Sequence, residues 1–286
     1  MFDFPEILNI PLAEWVDTLM DWVLLHFGDF FDAIGMGLLK ILLLLDNFFT
    51  WLPWPVVLLT VAILAWRAMG RWWHGLIMSS LLFIIGCFGY WEMAMSTLAI
   101  VAAAVIISLF IGIPTGIFMA RSDMAETLIK PILDAMQTMP SFVYLIPALM
   151  LFGLGKVPAV FATIIYAIPP VIRLTNVGIR GVSKSVIEAA EAFGSSPNQI
   201  LFNVQLPLAF PSIMVGVNQT TMMSLAMVVV ASMIGARTLG LEVLLAINRI
   251  EVGRGFEAGL CIVLLAIIID RITHAFAAKQ QQTREM

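Results

Sequence analysis

Ser185-Val186-Ile187-Glu188-Ala189-Ala190-Glu191-Ala192-Phe193-Gly194, continued by Ser196-Pro197 and closed by Leu206-Pro207, is a polar interruption in a chain that is otherwise apolar. Ser185 and Glu188 stand at the spacing of a capping box, in which hydroxyl and carboxylate each take up an amide orphaned at a helix start. A short helix is expected to begin there. Ala189, Ala190 and Ala192 keep it slim, and Gly194 falls where a left-handed C-terminal cap belongs. Ser196 and Pro197 then supply the N-cap and first-turn proline of a second short helix, which Pro207 is expected to end or bend. The product is a helix-turn-helix elbow able to meet a soluble partner.

The surroundings of this elbow are those of a membrane protein. Apolar residues make up 61% of the 286 and charged residues 12%, and mean hydropathy is +1.00; soluble domains are nearer about 45–50% and about 25%. Six or seven apolar stretches approach the roughly 17–25 residues that a spanning helix needs. They are 56–68, 76–90, 95–120, 141–154, 159–172, 211–234 and 256–277, with Pro147 interrupting the fourth and Pro169-Pro170 near the far end of the fifth. The run 35–45 is too short to cross alone and is expected to lie along the membrane.

The elbow resembles the cytoplasmic loop of the permease subunits of ABC importers. That family carries Glu-Ala-Ala, then Gly, then Ile-x-Leu-Pro at fixed spacing; here the residues are Glu188-Ala189-Ala190, Gly194 and Val204-Gln205-Leu206-Pro207, with Val204 in place of the Ile. The resemblance implies an all-α, polytopic bundle of about seven transmembrane helices with the type I ABC importer permease fold. It further implies that Glu188, Ala189, Ala190, Gly194, Leu206 and Pro207 join this chain to an ATPase subunit.

Lysines and arginines stay on the cytoplasmic side of membrane proteins. With the Glu188 loop placed inside, ten of the fifteen fall inside, Lys279 and Arg284 among them; Lys40, Lys156, Arg237, Arg249 and Arg254 fall outside. This puts the N-terminus outside and the C-terminal tail inside.

The chain then divides into an acidic amphipathic segment at 1–50, two accessory transmembrane helices in 51–92, a permease core at 93–278 with its coupling loop at 180–207, and a tail at 279–286. Residues 1–50 hold eight of the nineteen acids, from Asp3 and Glu6 to Asp46, with Trp15, Leu19, Trp22, Leu25, Phe27 and Phe30 at helical spacing among them. Such a segment serves as a membrane anchor or as a docking surface. It lacks the basic start and small-residue cleavage site of a signal peptide.

No phosphate-binding glycine loop, Gly-x-Ser-x-Gly or paired acidic metal site occurs, so the chain reads as a non-enzyme, with ATP and Mg²⁺ held by partner subunits. Cys87 and Cys261 fall in apolar spans and read as small hydrophobes. His26, His74 and His274 have no second ligand at helical spacing. Nothing in the composition points to nucleic acid; the partner the chain requires is a lipid bilayer.

Two further clusters draw attention. Met136-Gln137-Thr138-Met139-Pro140 leads through Phe142 and Tyr144 to Pro147, and both prolines are expected to break the helix, as occurs where backbone lines a cavity. Asn218, Gln219, Thr220 and Thr221 put four polar side chains in a membrane helix, either lining a path or bonding neighbouring helices. Gln137, Thr138, Pro140, Tyr144, Asn218, Gln219 and Thr221 are the candidate translocation-path residues, with Phe142 and Tyr166 as aromatic contacts for a cation. Gly112, Pro114 and Gly116 read either as a hinge or as a close-packing surface. Asp270-Arg271 reads as an interfacial charge pair.

These clusters, with Ala167 to Asn176 and Val204 to Pro207, are similar to the permeases of glycine betaine and proline betaine importers, relatives of which carry choline or carnitine. The resemblance covers about 94–275. It implies a homodimer of this chain, two ABC ATPase subunits, an extracytoplasmic substrate-binding protein, and alternating access in a bacterial inner membrane.

Overall fold

The computed structural model describes residues 11–285, with side chains placed through residue 276. The readings that rest on Asp3 and Glu6, and on the side chains of Lys279 and Arg284, lie outside the described residues. Twelve α-helices follow one another among the described residues, without a strand.

The chain opens with α1 (Leu12–Trp51), α2 (Trp54–Met69) and α3 (Trp72–Cys87). The stretch 35–45 is no separate surface segment: it belongs to α1, whose Leu38 and Leu42 are buried with Ile100, Val101 and Ala104 in the main apolar cluster. Pro53, lacking an N–H, ends α1, and α2 leaves at 101° to it. A left-handed Gly70 turns α2 into α3.

The core begins with α4 (Trp91–Arg121), α5 (Asp123–Thr138), α6 (Leu145–Phe152) and α7 (Lys156–Arg180). Then come α8 (Lys184–Ala192), α9 (Pro197–Ile200), α10 (Leu206–Ala231), α11 (Leu239–Arg249) and α12 (Val252–Glu285). Four continuous helices are long and apolar enough to cross a membrane: α4, α7, the run Pro197–Ile234, and α12 through Phe276. Two bent pairs, α1 with α2 and α5 with α6, bring the total among the described residues to six when each pair is taken as one span. Seven were expected. The shortfall is α3, whose 16 residues extend about 24 Å against a hydrocarbon core of about 30 Å.

Proline behaves differently at different depths. Pro140 breaks the chain as expected: Met139 is extended, as the residue before proline prefers, and α5 and α6 meet at 109°. Pro147 does not break it. It sits in the first turn of α6, where a missing N–H costs little. Pro169 and Pro170 are buried inside an unbroken α7, and Pro114, which is exposed, lies inside an unbroken α4. Both helices run on past their prolines, as membrane helices can where surrounding groups satisfy the freed backbone carbonyls.

The central helix is α7, clasped between α4 and α10. Glycines set the approach. A Cβ on Gly112 would fall 2.5 Å from Val171, and one on Gly116 2.6 Å from Thr175 and 2.7 Å from the Ile172 carbonyl oxygen. On the other side, a Cβ on Gly216 would be 3.1 Å from the Val171 Cα. The Gly112–Gly116 segment is therefore a packing surface and not a hinge, in keeping with the role of small residues between membrane helices.

Candidate functional site

The elbow forms, with different caps from those its sequence suggests. α8 begins after Ser183, not at Ser185; the Ser183 and Ser185 hydroxyls lie 2.7 Å apart, and neither caps an amide. The capping box belongs to the next helix. Ser196 Oγ accepts from the Gln199 N–H at 3.4 Å, while Gln199 Oε1 accepts from the Ser196 N–H at 2.8 Å. Gln199, three residues after a serine, is the signal that would have located it.

The end of α8 follows its sequence closely. Gly194 adopts φ +79°; its N–H donates to the Glu191 carbonyl at 2.8 Å, and the Ser195 N–H donates to the Ala190 carbonyl at 3.1 Å. This is a Schellman cap, and the left-handed residue at its centre favours glycine.

α8 buries none of its residues. Glu188 and Ala189 are exposed and Ala190 is half-buried. Phe193, which sequence reasoning passed over, is 92% exposed at the tip of the elbow, and Val186, in the first turn of α8, is 41% exposed. α8 thus leaves two acids, its alanines and a bare phenylalanine uncovered in the chain as it stands alone.

Pro207 neither ends nor bends the following helix. Residues 201–205 form a π-turn in which the Leu206 N–H donates to the Leu201 carbonyl, five residues back. The extra residue lets the helix run on past a proline that has no donor to give. Leu206 and Pro207 are half-buried at the foot of α10.

Behind the elbow, arginines tie α7 to α5. Arg180 donates to Asp123 Oδ1 at 2.7 Å, to the Met119 carbonyl at 3.0 Å and to Asn176 Oδ1 at 3.2 Å, and pairs with Glu126 at 3.4 Å. Asn176 in turn donates to Glu126 Oε1 at 3.0 Å. About two helical turns earlier, Arg173 pairs with Asp134. The ends of α4, α5 and α7 thus meet four residues before α8 starts. Arg121 adds a bond to Asn198 Oδ1 at 2.8 Å, joining the end of α4 to α9.

The candidate path residues fall into two groups. Gln137, Thr138 and Pro140 are exposed at the end of α5, and Thr138 Oγ1 donates back to the Asp134 carbonyl at 3.1 Å. Tyr144, 6% exposed, donates to the Met136 carbonyl at 2.5 Å, and its ring lies 6.2 Å from that of Tyr166. Phe142 points outward, 58% exposed. In α10, Gln219 is exposed, Thr220 and Thr221 are buried, and Thr221 Oγ1 donates to the Val217 carbonyl at 2.8 Å. Asn218 donates to Asp270 Oδ1 at 2.9 Å, bridging α10 and α12. Asp270 therefore answers Asn218, not the Arg271 expected beside it. Among the described residues no hydrogen bond joins the Gln137–Tyr144 group to the Asn218–Thr221 group.

A multi-pass helical membrane protein, with an elbow for a partner at one end of a glycine-packed core, is the class defined by this geometry. Residues 112–282 match the family described as the binding-protein-dependent transport system inner membrane component, and the chain belongs to that family. Its relatives are permease proteins. It is 48% identical over 266 residues to the glycine betaine/proline betaine transport system permease protein ProW of Escherichia coli (strain K12), covering 93% of this chain and 75% of that one. It is 46% identical to the glycine betaine/carnitine transport permease protein GbuB of Listeria monocytogenes (serotype 1/2a), covering 96% and 98%. It is 45% identical to the glycine betaine transport system permease protein OpuAB of Bacillus subtilis (strain 168), covering 96% of each. Among solved structures, a chain of the inward-facing MetNI methionine ABC transporter superposes with a TM-score of 0.55 at 21% identity, covering 65% of this chain and 92% of that one. That likeness carries the fold alone.

Proposed function

We propose that this chain is the permease subunit of an ATP-driven importer of glycine betaine or a related methylammonium osmolyte. The observation that carries the reading is the 45–48% identity, over nearly the whole chain, to three permeases named for glycine betaine. Two copies of the chain form the path, two ABC ATPase subunits hold ATP and Mg²⁺ on the cytoplasmic side, and an extracytoplasmic binding protein delivers the solute. The elbow and the C-terminal end of α12 face the cytoplasm of a bacterial inner membrane.

Coupling runs through named contacts. Each ATPase grips α8 at Glu188, Ala189, Ala190 and Phe193, with Gly194 setting the angle of the elbow and Leu206 and Pro207 anchoring its return. Displacement of α8 pulls on Arg180, which is tied to α5 through Asp123 and Glu126. α5 ends at the Pro140 break, so its motion reaches Tyr144 and the Gln137–Pro140 segment. The partner must contact α8 differently in the two states, because equal binding to both shifts nothing.

The chemistry of the solute is the finer question. Less similar relatives are named for trimethylamine N-oxide, choline and carnitine, and proline is a further competitor. Uptake of radiolabelled glycine betaine, choline, carnitine, proline and trimethylamine N-oxide into liposomes holding the assembled complex, with ATP inside, separates them. ATP-dependent accumulation of betaine supports the reading; accumulation of another solute moves the specificity; uptake without ATP replaces it with a secondary transporter.

A further inference from the structure

The ends of α2, α3 and α4 border an open cavity of about 560 Å³ that the transport reading leaves unused. Its walls are Trp54 and Leu58 at the start of α2, Phe83 and Cys87 at the end of α3, and Trp91 with Glu92 at the start of α4. All come from helix ends, so the cavity opens at one face of the membrane; by the charge distribution that face is extracytoplasmic. The Trp54 and Phe83 rings lie 6.4 Å apart. Trp91 lies against the backbone of α3, where a Cβ on Gly86 would touch its ring at 3.4 Å. The volume falls in the range of small-molecule sites, about 300–1,000 Å³.

From this arrangement we propose that the cavity binds an alkylammonium group, with Trp54, Phe83 and Trp91 facing the cation and Glu92 supplying its counter-charge. Three aromatic rings attract a cation through their electron-rich faces, and most strongly one sheathed in methyl groups that carries little water. No Lys, Arg or His lines the cavity. The helix termini oppose this only weakly: two N-terminal ends and one C-terminal end leave about half a positive charge, which the full charge of Glu92 outweighs. An anion meets Glu92 and is rejected. A metal ion finds a single carboxylate, and among the described residues no group of three metal-ligating side chains occurs. Lys156, which reaches Ser96 Oγ at 3.4 Å one turn along α4 from Glu92, is held by Asp46 at 2.8 Å and does not compete for Glu92. The same ammonium chemistry is carried by a soluble quaternary ammonium and by a phospholipid headgroup.

Cys87 provides the readout, because it is exposed in the lining while Cys261 is buried. In a Cys261→Ser background, the full chain is placed in phosphatidylglycerol nanodiscs and the rate of maleimide labelling at Cys87 is followed against tetramethylammonium. Saturable protection is expected. The neutral isostere 3,3-dimethylbutanol gives none, and Trp91→Leu or Glu92→Gln weakens protection about five-fold or more. Replacing half of the lipid by phosphatidylethanolamine separates the sources: slower labelling before any tetramethylammonium is added assigns the site to a lipid headgroup, and unchanged labelling assigns it to a soluble cation. Absence of protection in both lipids, or equal protection by 3,3-dimethylbutanol, overturns the proposal. The isostere comparison needs no variant at the site, and labelling is read without transport, so failure here leaves the importer reading standing.

Discussion

Arg180 and Asp123, 57 residues apart in the chain, meet at 2.7 Å and close the corner where α4 and α7 end and α5 begins, above the elbow. The two partners are unequal. Asp123 is 91% exposed and Arg180 only 32%, so the ion pair itself contributes below about 1 kcal/mol. Arg180 also satisfies Met119, Asn176 and Glu126, and its loss strands acceptors that are part-buried. Asp123→Asn is expected to leave thermal stability and uptake near normal, whereas Arg180→Ala costs about 1–3 kcal/mol and lowers uptake more than it lowers ATPase activity. Thermal unfolding in detergent and paired uptake and ATPase assays check both.

Gly194 separates the shape of the elbow from its docking. Nothing lies within 4 Å of a Cβ placed there, yet its φ is +79°. Gly194→Ala therefore carries only the backbone cost, about 1 kcal/mol, and uptake should fall modestly. Gly194→Trp adds bulk beside Phe193 on the docking face and is expected to abolish coupled uptake while membrane insertion persists. Normal uptake by the tryptophan variant would refute the elbow as the coupling element.

The glycine seam between α4 and α7 is tight enough to be tested by one methyl group. Gly116→Ala places a Cβ 2.7 Å from the backbone oxygen of Ile172, which has little freedom to move. A loss of about 1–3 kcal/mol is expected, read as a lower melting temperature in detergent. Gly259→Ala is the control: its Cβ meets nothing within 4 Å, and the better helix former should hold or raise stability.

Tyr144 holds the backbone at the Pro140 break through its bond to the Met136 carbonyl. Tyr144→Phe keeps the ring beside Tyr166 and removes only that bond, at about 1 kcal/mol. If the break belongs to the path, the variant changes KM or kcat for uptake with little change in melting temperature. A melting-temperature drop with unchanged kinetics would assign Tyr144 to packing.

Much of this architecture was legible in the residues, for reasons that differ from one element to the next. The Schellman cap at Gly194 was readable because it is local: six residues decide it. The start of α8 was misread because Ser183 and Ser185 are both plausible caps by spacing, and neither hydroxyl caps an amide. Pro147 and Pro207 were read as breaks on local rules that hold for isolated helices; in the folded chain, a first-turn position and a π-turn absorb them. Partners distant in sequence were invisible. Nothing in the neighbourhood of Asp270 points to Asn218, or of Arg180 to Asp123. The unburied Phe193 was missed because an exposed apolar residue gains meaning only once its burial is known.

The seam at Gly112, Gly116 and Gly216 restricts what the molecule can do when it works. Backbone contacts this close leave α4, α7 and α10 no side-chain cushion on which to roll past one another. The three helices are therefore joined as one stiff block. The bend between α5 and α6 at Pro140 lies outside that block, and it is there that flexing of the chain is expected.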